Sequence, residues 1–281
     1  MKMRLPANTA LALFAASAIA IGSLGLAQSD FVAIWAPVPE SLPARDALVY
    51  VCAIMCVTCG AGLLWRRIAS IAARLWLGFV LAWFILFKLR VVWMAPASVV
   101  SWESIGEMAV VIAAAWVLYA RFATDWDRRH LAAAAGVPGL RIARTLLGLS
   151  LIAFGLAHFA YVRETAALVP AWLPAHEAWV YLTGGTYVVA GAALIANVMA
   201  RAAAALSAVQ MGVFTLLVWL PFVLAGPDAF QTSEAIVSLA LTASAWLVAE
   251  SYLEPGARAP ADAARPISNS ATSVNPAAAD R

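Results

Sequence analysis

A chain of 281 residues that is 64% hydrophobic and only 12% charged lacks the polar residues to cover a soluble core, since soluble domains keep about a quarter of their residues charged. A net charge of +3 gives no electrostatic reason for a nucleic-acid partner. The three cysteines fall within one apolar run, which excludes a disulfide framework.

Apolar runs of roughly 20 residues, the length that crosses a hydrocarbon core of about 30 Å, fall at 9–28, 46–65, 70–94, 102–121, 142–160, 177–198, 202–225 and 232–252. Lipid offers no partner for an open backbone amide, so these segments are expected to be helices. The expected fold is all-α: a polytopic integral membrane protein of about eight transmembrane helices. Placing the N-terminus inside puts all but four of the 18 Lys and Arg residues on the cytoplasmic side, the outer four being Arg45, Lys88, Arg90 and Arg163. The positive-inside rule therefore expects both termini to be cytoplasmic.

The first run has the look of a secretory signal, with basic residues at Lys2 and Arg4 and small residues at Gly25 and Ala27. An internal repeat argues for its retention. Gly25-Leu26-Ala27-Gln28 lines up with Gly155-Leu156-Ala157-His158. Further on, Val38-Pro39-x-x-Leu42-Pro43-Ala44-Arg45-Asp46-Ala47 recurs as Val169-Pro170-x-x-Leu173-Pro174-Ala175-His176-Glu177-Ala178. The same offset pairs Gly60 with Gly191, Pro96 with Pro227 and Glu103 with Glu234. The expected organisation is a first four-helix repeat over 9–121, a basic linker over 122–141 and a second repeat over 142–252. A disordered Ala/Pro/Ser-rich tail is expected over 253–281. An even number of helices per repeat makes the halves parallel, related by an axis along the membrane normal.

Gly155-x-x-His158-Phe159-x-Tyr161, then Val169-Pro170-x-Trp172-Leu173-Pro174-x-His176, a Gly-bearing helix, Trp219-x-Pro221 and Glu234 resemble the DoxX-like membrane proteins over about residues 141–252. Many members carry a glutamate in the helix after the Pro-Trp-Leu-Pro loop, where this chain has Gly184, Gly185 and Thr186. The resemblance implies a four-helix membrane unit, here doubled, and an association with quinone- or thiol-linked redox assemblies of the bacterial inner membrane.

Several residues bear chemistry that a membrane span does not need. Lys88 and Glu107 each lie about 9 Å below the outer end of their helices at 1.5 Å per residue. Ionisable groups at that depth require pairing or water, so a Lys88–Glu107 pair beside a polar pocket is expected. Gln28, His158 and His176 cluster at the same outer side, where an imidazole could hydrogen-bond a quinone carbonyl or relay protons. Glu103 and Glu234 follow Ser101 and Thr232 closely enough to read as first-turn acids behind N-caps. Arg90 reads as a snorkelling side chain. Cys52-x-x-x-Cys56-x-x-Cys59 has the spacing of a radical-SAM cluster motif, but on one helix face it reads as small packing residues. No residue set argues for catalysis or for a metal. The expectation is a non-catalytic membrane subunit or anchor, quinone-associated and partnered by a redox protein and the lipid bilayer. The alternatives are a small-solute carrier or a structural protein without a ligand.

Overall fold

The computed structural model describes residues 9–226 and 228–253. Among them are eight helices long and apolar enough to cross a membrane: α1 Thr9–Gln28, α2 Arg45–Leu64, α3 Ala69–Met94, α4 Val99–Arg121, α5 Val137–Ala160, α6 His176–Ile195, α7 Ala200–Leu224 and α8 Ala229–Glu250. The chain is thus an all-α polytopic membrane protein, and its apolar helices suit a lipid bilayer. The tail expected beyond Leu253 and the repeated proline at 227 lie outside the described residues.

Consecutive helices pack in pairs, α1 on α2 and α5 on α6, with α3 and α7 on the far side of each pair. The last helix of each half crosses to the first helix of the other, so α4 packs on α5 and α8 on α1. α4 and α8 also pack on each other and form the most buried centre of the bundle. The halves are therefore interlocked around a central pair.

Local geometry recurs between the halves. Ala44 and Ala175, one residue before α2 and α6, both take left-handed backbone, with φ 56° and φ 55°. That conformation is uncommon for a residue with a Cβ. α3 and α7 each contain one π turn, at Phe84–Lys88 and Thr215–Trp219, again 131 positions apart. π turns inside α-helices are rare and re-aim the side chains that follow.

Close helix crossings also match, and they correct the register expected for the first helix. A Cβ on Gly22 would lie 2.4 Å from Ala53 O and 2.7 Å from Val57 Cγ2; one on Gly155 would lie 2.6 Å from both Gly184 O and Val188 Cγ2. Gly60 sits in the same way on Ala15 and Ile19 as Gly191 does on Gly148 and Ile152. Gly22, not Gly25, is the counterpart of Gly155. His158 therefore corresponds to Gly25 and not to Gln28. Sixteen positions separate Gly22 from Val38, but fourteen separate Gly155 from Val169. The loop after α1 is two residues longer than its counterpart.

Helix starts differ from the sequence expectation for a physical reason. α8 is capped by Asp228, whose carboxylate accepts from the Gln231 amide while Gln231 reaches back to the Asp228 amide, a capping box. α4 begins at Val99 after Ser98. Ser101 and Thr232 lie inside the helices and are not caps, so Glu103 and Glu234 sit beyond the first turn. α5 begins at Val137, with Pro138 tolerated in its first turn. The expected linker contains short helices at Asp125–His130 and Ala132–Ala135.

At the end of the bundle opposite the long interhelical loops, Asp127 ties that linker to the first half. Its carboxylate accepts from Arg74 Nη2 at 2.8 Å, Tyr119 Oη at 3.1 Å and the Thr124 hydroxyl at 2.6 Å. Burial alone would raise the Asp127 carboxyl, but the Thr124 hydroxyl and amide, Arg74 and Tyr119 together hold it well below the usual carboxylate range. In the second half the same end is closed by Arg144, which donates to Ser251 O at 2.7 Å and lies over the Tyr252 ring.

Candidate functional site

Two adjoining cavities open in the second half, at the end where the loops after α1 and α5 lie. The first, about 210 Å³, is walled by α4 through α8. Glu103 and Glu107 enter it from α4, His158 from α5, Tyr187 from α6, Trp219 from α7 and Glu234 from α8. Glu103 and Glu107, four residues apart, share one face of α4. Gly106 between them leaves room for the Phe154 ring, whose Cε1 would be 3.0 Å from a Cβ there. The π turn of α7 ends at Trp219, which lines the floor with Ser238; Ser238 Oγ and Thr215 Oγ1 are hydrogen-bonded at 2.7 Å.

The second cavity, about 350 Å³, is almost wholly apolar in its lining. Residues of the loop after α5 (Thr165 to Leu173) form one side, and α6 and α7 form the other. His158, Leu168, Tyr187 and Phe214 belong to both cavities, so the two spaces meet there. Gln210 braces the α6–α7 wall. Its Nε2 donates to Thr183 O at 3.0 Å and its Oε1 accepts from Thr186 at 2.5 Å.

His158 Nδ1 lies 2.8 Å from Phe154 O, four residues earlier on α5, and its ring meets Tyr187 edge-on at 5.6 Å between centroids. That leaves Nε2 as the ring nitrogen available to a ligand. Glu107 lies within electrostatic reach of Lys88, Glu234 and Glu103. None of the three glutamates hydrogen-bonds or ion-pairs with a described residue. These are acids without fixed partners in a confined space.

The expected cluster of five residues separates. Glu107 and His158 do line the cavity. Lys88 does not: fully buried, it donates to Ala36 O and, at 2.8 Å, to Ser104 Oγ. No described ion pair joins Lys88 to Glu107, so the expected direct pairing gives way to a cation held by a carbonyl and a hydroxyl. Gln28 reaches Ala229 O at 3.5 Å, and His176 opens α6; neither lines a cavity. Glu103, Glu234 and Tyr187 line the cavity although the sequence alone assigned none of them to a site. The Glu103-x-x-x-Glu107 spacing within a span was the signal available. Cys52, Cys56 and Cys59 are buried on α2, with Cys56 Cβ against Gly22 of α1.

The position equivalent to this site in the first half is filled. A 3-10 turn, Ala33–Trp35, carries Trp35 into a nest of Trp76, Phe79 and Trp83, with ring centroids 6.3, 5.4 and 5.2 Å away. Trp83 Nε1 donates to Trp35 O at 3.2 Å, and the Ala33 amide donates to Ser233 Oγ at 2.9 Å. Lys88 holds the next carbonyl, that of Ala36. Arg45 and Asp30 form an ion pair at 2.9 Å that closes the loop from outside. The Phe31 amide leads in holding the Asp30 carboxyl below its ordinary value, with Arg45 adding to it against a smaller burial penalty. Only a sliver of about 10 Å³ remains there.

Residues 147–250 match a family described as a domain of unknown function (DUF8561). That stretch covers α5 from Leu147 and all of α6 to α8, and thus most of the cavity walls, but not Glu103 and Glu107. No curated protein and no solved structure matches the chain.

Proposed function

We propose that this chain is a membrane-embedded binding module, DoxX-like in kind, that takes a small amphiphilic molecule into its second half. The observation that carries this reading is the meeting of the two cavities at His158, Leu168, Tyr187 and Phe214. One space offers carboxyls, an imidazole and hydroxyl groups; the other offers a long, almost wholly apolar wall. A polar head would sit in the first and a hydrocarbon body in the second. Pairing an apolar pocket with a few convergent polar groups is the usual design of a small-molecule site.

The DoxX-like resemblance makes a quinone the family's candidate ligand. The chain would then serve as a membrane subunit or anchor beside a quinone- or thiol-linked redox partner in the bacterial inner membrane. The Lys/Arg bias would place the cavities toward the outer face and both termini in the cytoplasm. A small-solute carrier is the second reading, favoured by the site's position where the parallel halves meet.

Purification in mild detergent followed by mass spectrometry of the organic extract tests the binding reading. The expected result is one amphiphile per chain, displaced in Leu168→Trp, whose indole would occupy the junction. An empty wild-type protein, or equal content in Leu168→Trp that still elutes as a folded monodisperse species, would overturn it.

A further inference from the structure

The three carboxyls say more about the head group than its being polar. We propose that the site takes a lipophilic cation, an amine or quaternary onium head on an apolar body, and that the cation enters in exchange for a proton held by Glu103, Glu107 and Glu234. This rests on the two-cavity binding reading and narrows its ligand class.

Glu103 and Glu107 from the first half and Glu234 from the second converge on one space of about 210 Å³ between central helices. Their carboxyls carry no hydrogen bond or ion pair to any described residue, and Glu107 feels both of the others. No Lys or Arg is among the described residues lining either cavity. Lys88, the cation within electrostatic reach of Glu107, is hydrogen-bonded to Ala36 O and Ser104 Oγ and not to a carboxyl. Like charges gathered in one confined site repel one another, which favours either a shared proton or a bound cation there.

A cation changes that balance. Its charge compensates a carboxylate that burial would otherwise forbid, and one proton leaves as it binds. No covalent bond other than that O–H is broken. Phe154, Tyr187, Phe214 and Trp219 supply aromatic walls of the kind that attract such a head. The adjoining apolar cavity accommodates its hydrocarbon part. A neutral quinone head would accept hydrogen bonds from protonated carboxyls and would displace no proton, which is what separates the two ligand classes.

The titratable groups facing the site are Glu103 and Glu107 on α4, His158 on α5, Tyr187 on α6 and Glu234 on α8. α7 presents Met211, Phe214 and Trp219, none of which titrates in this role, and Lys88 of α3 lies within electrostatic reach of Glu107. His158 is the one cavity group that could itself carry positive charge. It competes with the ligand at low pH and reinforces the same direction of pH dependence.

The full chain in nanodiscs of uncharged lipid, titrated with tetraphenylphosphonium and separately with decylubiquinone, tests the proposal. The expected result is phosphonium binding that tightens with rising pH, by up to about tenfold per unit for one exchanged proton. A pH dye in weakly buffered solution should report proton release on addition of phosphonium to the wild-type protein. Glu107→Gln should weaken binding and flatten its pH dependence, and Glu234→Gln gives an independent second variant should the first misfold. Quinone binding without phosphonium binding would overturn the cation assignment and leave the binding reading standing, as would phosphonium binding with neither pH dependence nor proton release. Binding of neither probe would sink both.

Discussion

The loop after α1 and the loop after α5 leave near-equivalent helix pairs and do opposite things. The first is two residues longer, turns once at Ala33–Trp35 and drives an indole into the bundle. Four ties hold it, from Lys88, Trp83, Ser233 and Arg45. At the matching positions the second half has Trp219, Phe214, Trp102 and His176, and no described hydrogen bond reproduces any of the four ties. Its loop lies over a cavity where the first loop fills one. One copy fills its space with a tied loop, and the other keeps a space open.

Trp35→Ala is the strongest way to break the contrast. Removing a buried indole costs roughly 3–5 kcal/mol where the site cannot collapse, so the melting temperature in detergent should fall sharply. If the plug is all that separates the halves, this variant should also gain a second, weaker ligand site, read as a stoichiometry moving from one toward two. A thermally unchanged Trp35→Ala protein would show that the indole does not hold the first half together.

Lys88→Met tests the same plug from beneath. The substitution conserves an unbranched chain but strips Ala36 O and Ser104 Oγ of their shared donor. Leaving buried polar groups unsatisfied costs about 1–3 kcal/mol, which should appear as a lower melting temperature and easier proteolysis between α1 and α2. Double substitution with Glu107→Gln discriminates the two roles assigned to Lys88. A structural tie predicts additive losses, whereas a true ion pair predicts that the double variant recovers part of the loss.

The helix crossings provide a smaller effect. Gly155→Ala must push against Gly184 O and Val188, and overpacking of this kind costs roughly 1–3 kcal/mol. Gly185 has nothing within 4 Å of its missing Cβ, so Gly185→Ala should be neutral or slightly stabilising. Gly22→Ala should behave as Gly155→Ala does. A tolerated Gly22→Ala with a damaging Gly25→Ala would restore the rejected register.

Much of this arrangement is written openly in the chain. Hydropathy locates every span to within a few residues, because lipid penalises any other conformation. The Val-Pro-x-x-Leu-Pro-Ala motif identifies the equivalence of α2 and α6 down to the left-handed alanine before each. What misleads is local likeness without geometry. Gly25-Leu26-Ala27 resembles Gly155-Leu156-Ala157 in letters, yet the glycine that α2 needs for close approach is Gly22. Similarly, Ser101 and Thr232 have the composition of caps, but Ser98 precedes α4 and Asp228 caps α8, each one turn earlier. That single turn moves Glu103 and Glu234 from helix ends into the cavity. The plug is beyond sequence reasoning altogether, since it depends on where a loop two residues longer can reach.

The end opposite the loops offers the mildest test, and it again separates the halves. Asp127 secures the linker to Arg74 of the first half, whereas in the second half Arg144 donates to Ser251 O. The Asp127 carboxyl is held below its ordinary value in the folded protein. Its contribution is therefore complete above the unfolded value of roughly 4 and is lost as pH falls below that toward the folded one. Asp127→Asn should lower stability at neutral pH by on the order of 1 kcal/mol, and the gap from wild type should narrow in acid. A gap that stayed constant into acid would show that the Asp127 hub is not a titrating tie of the first half.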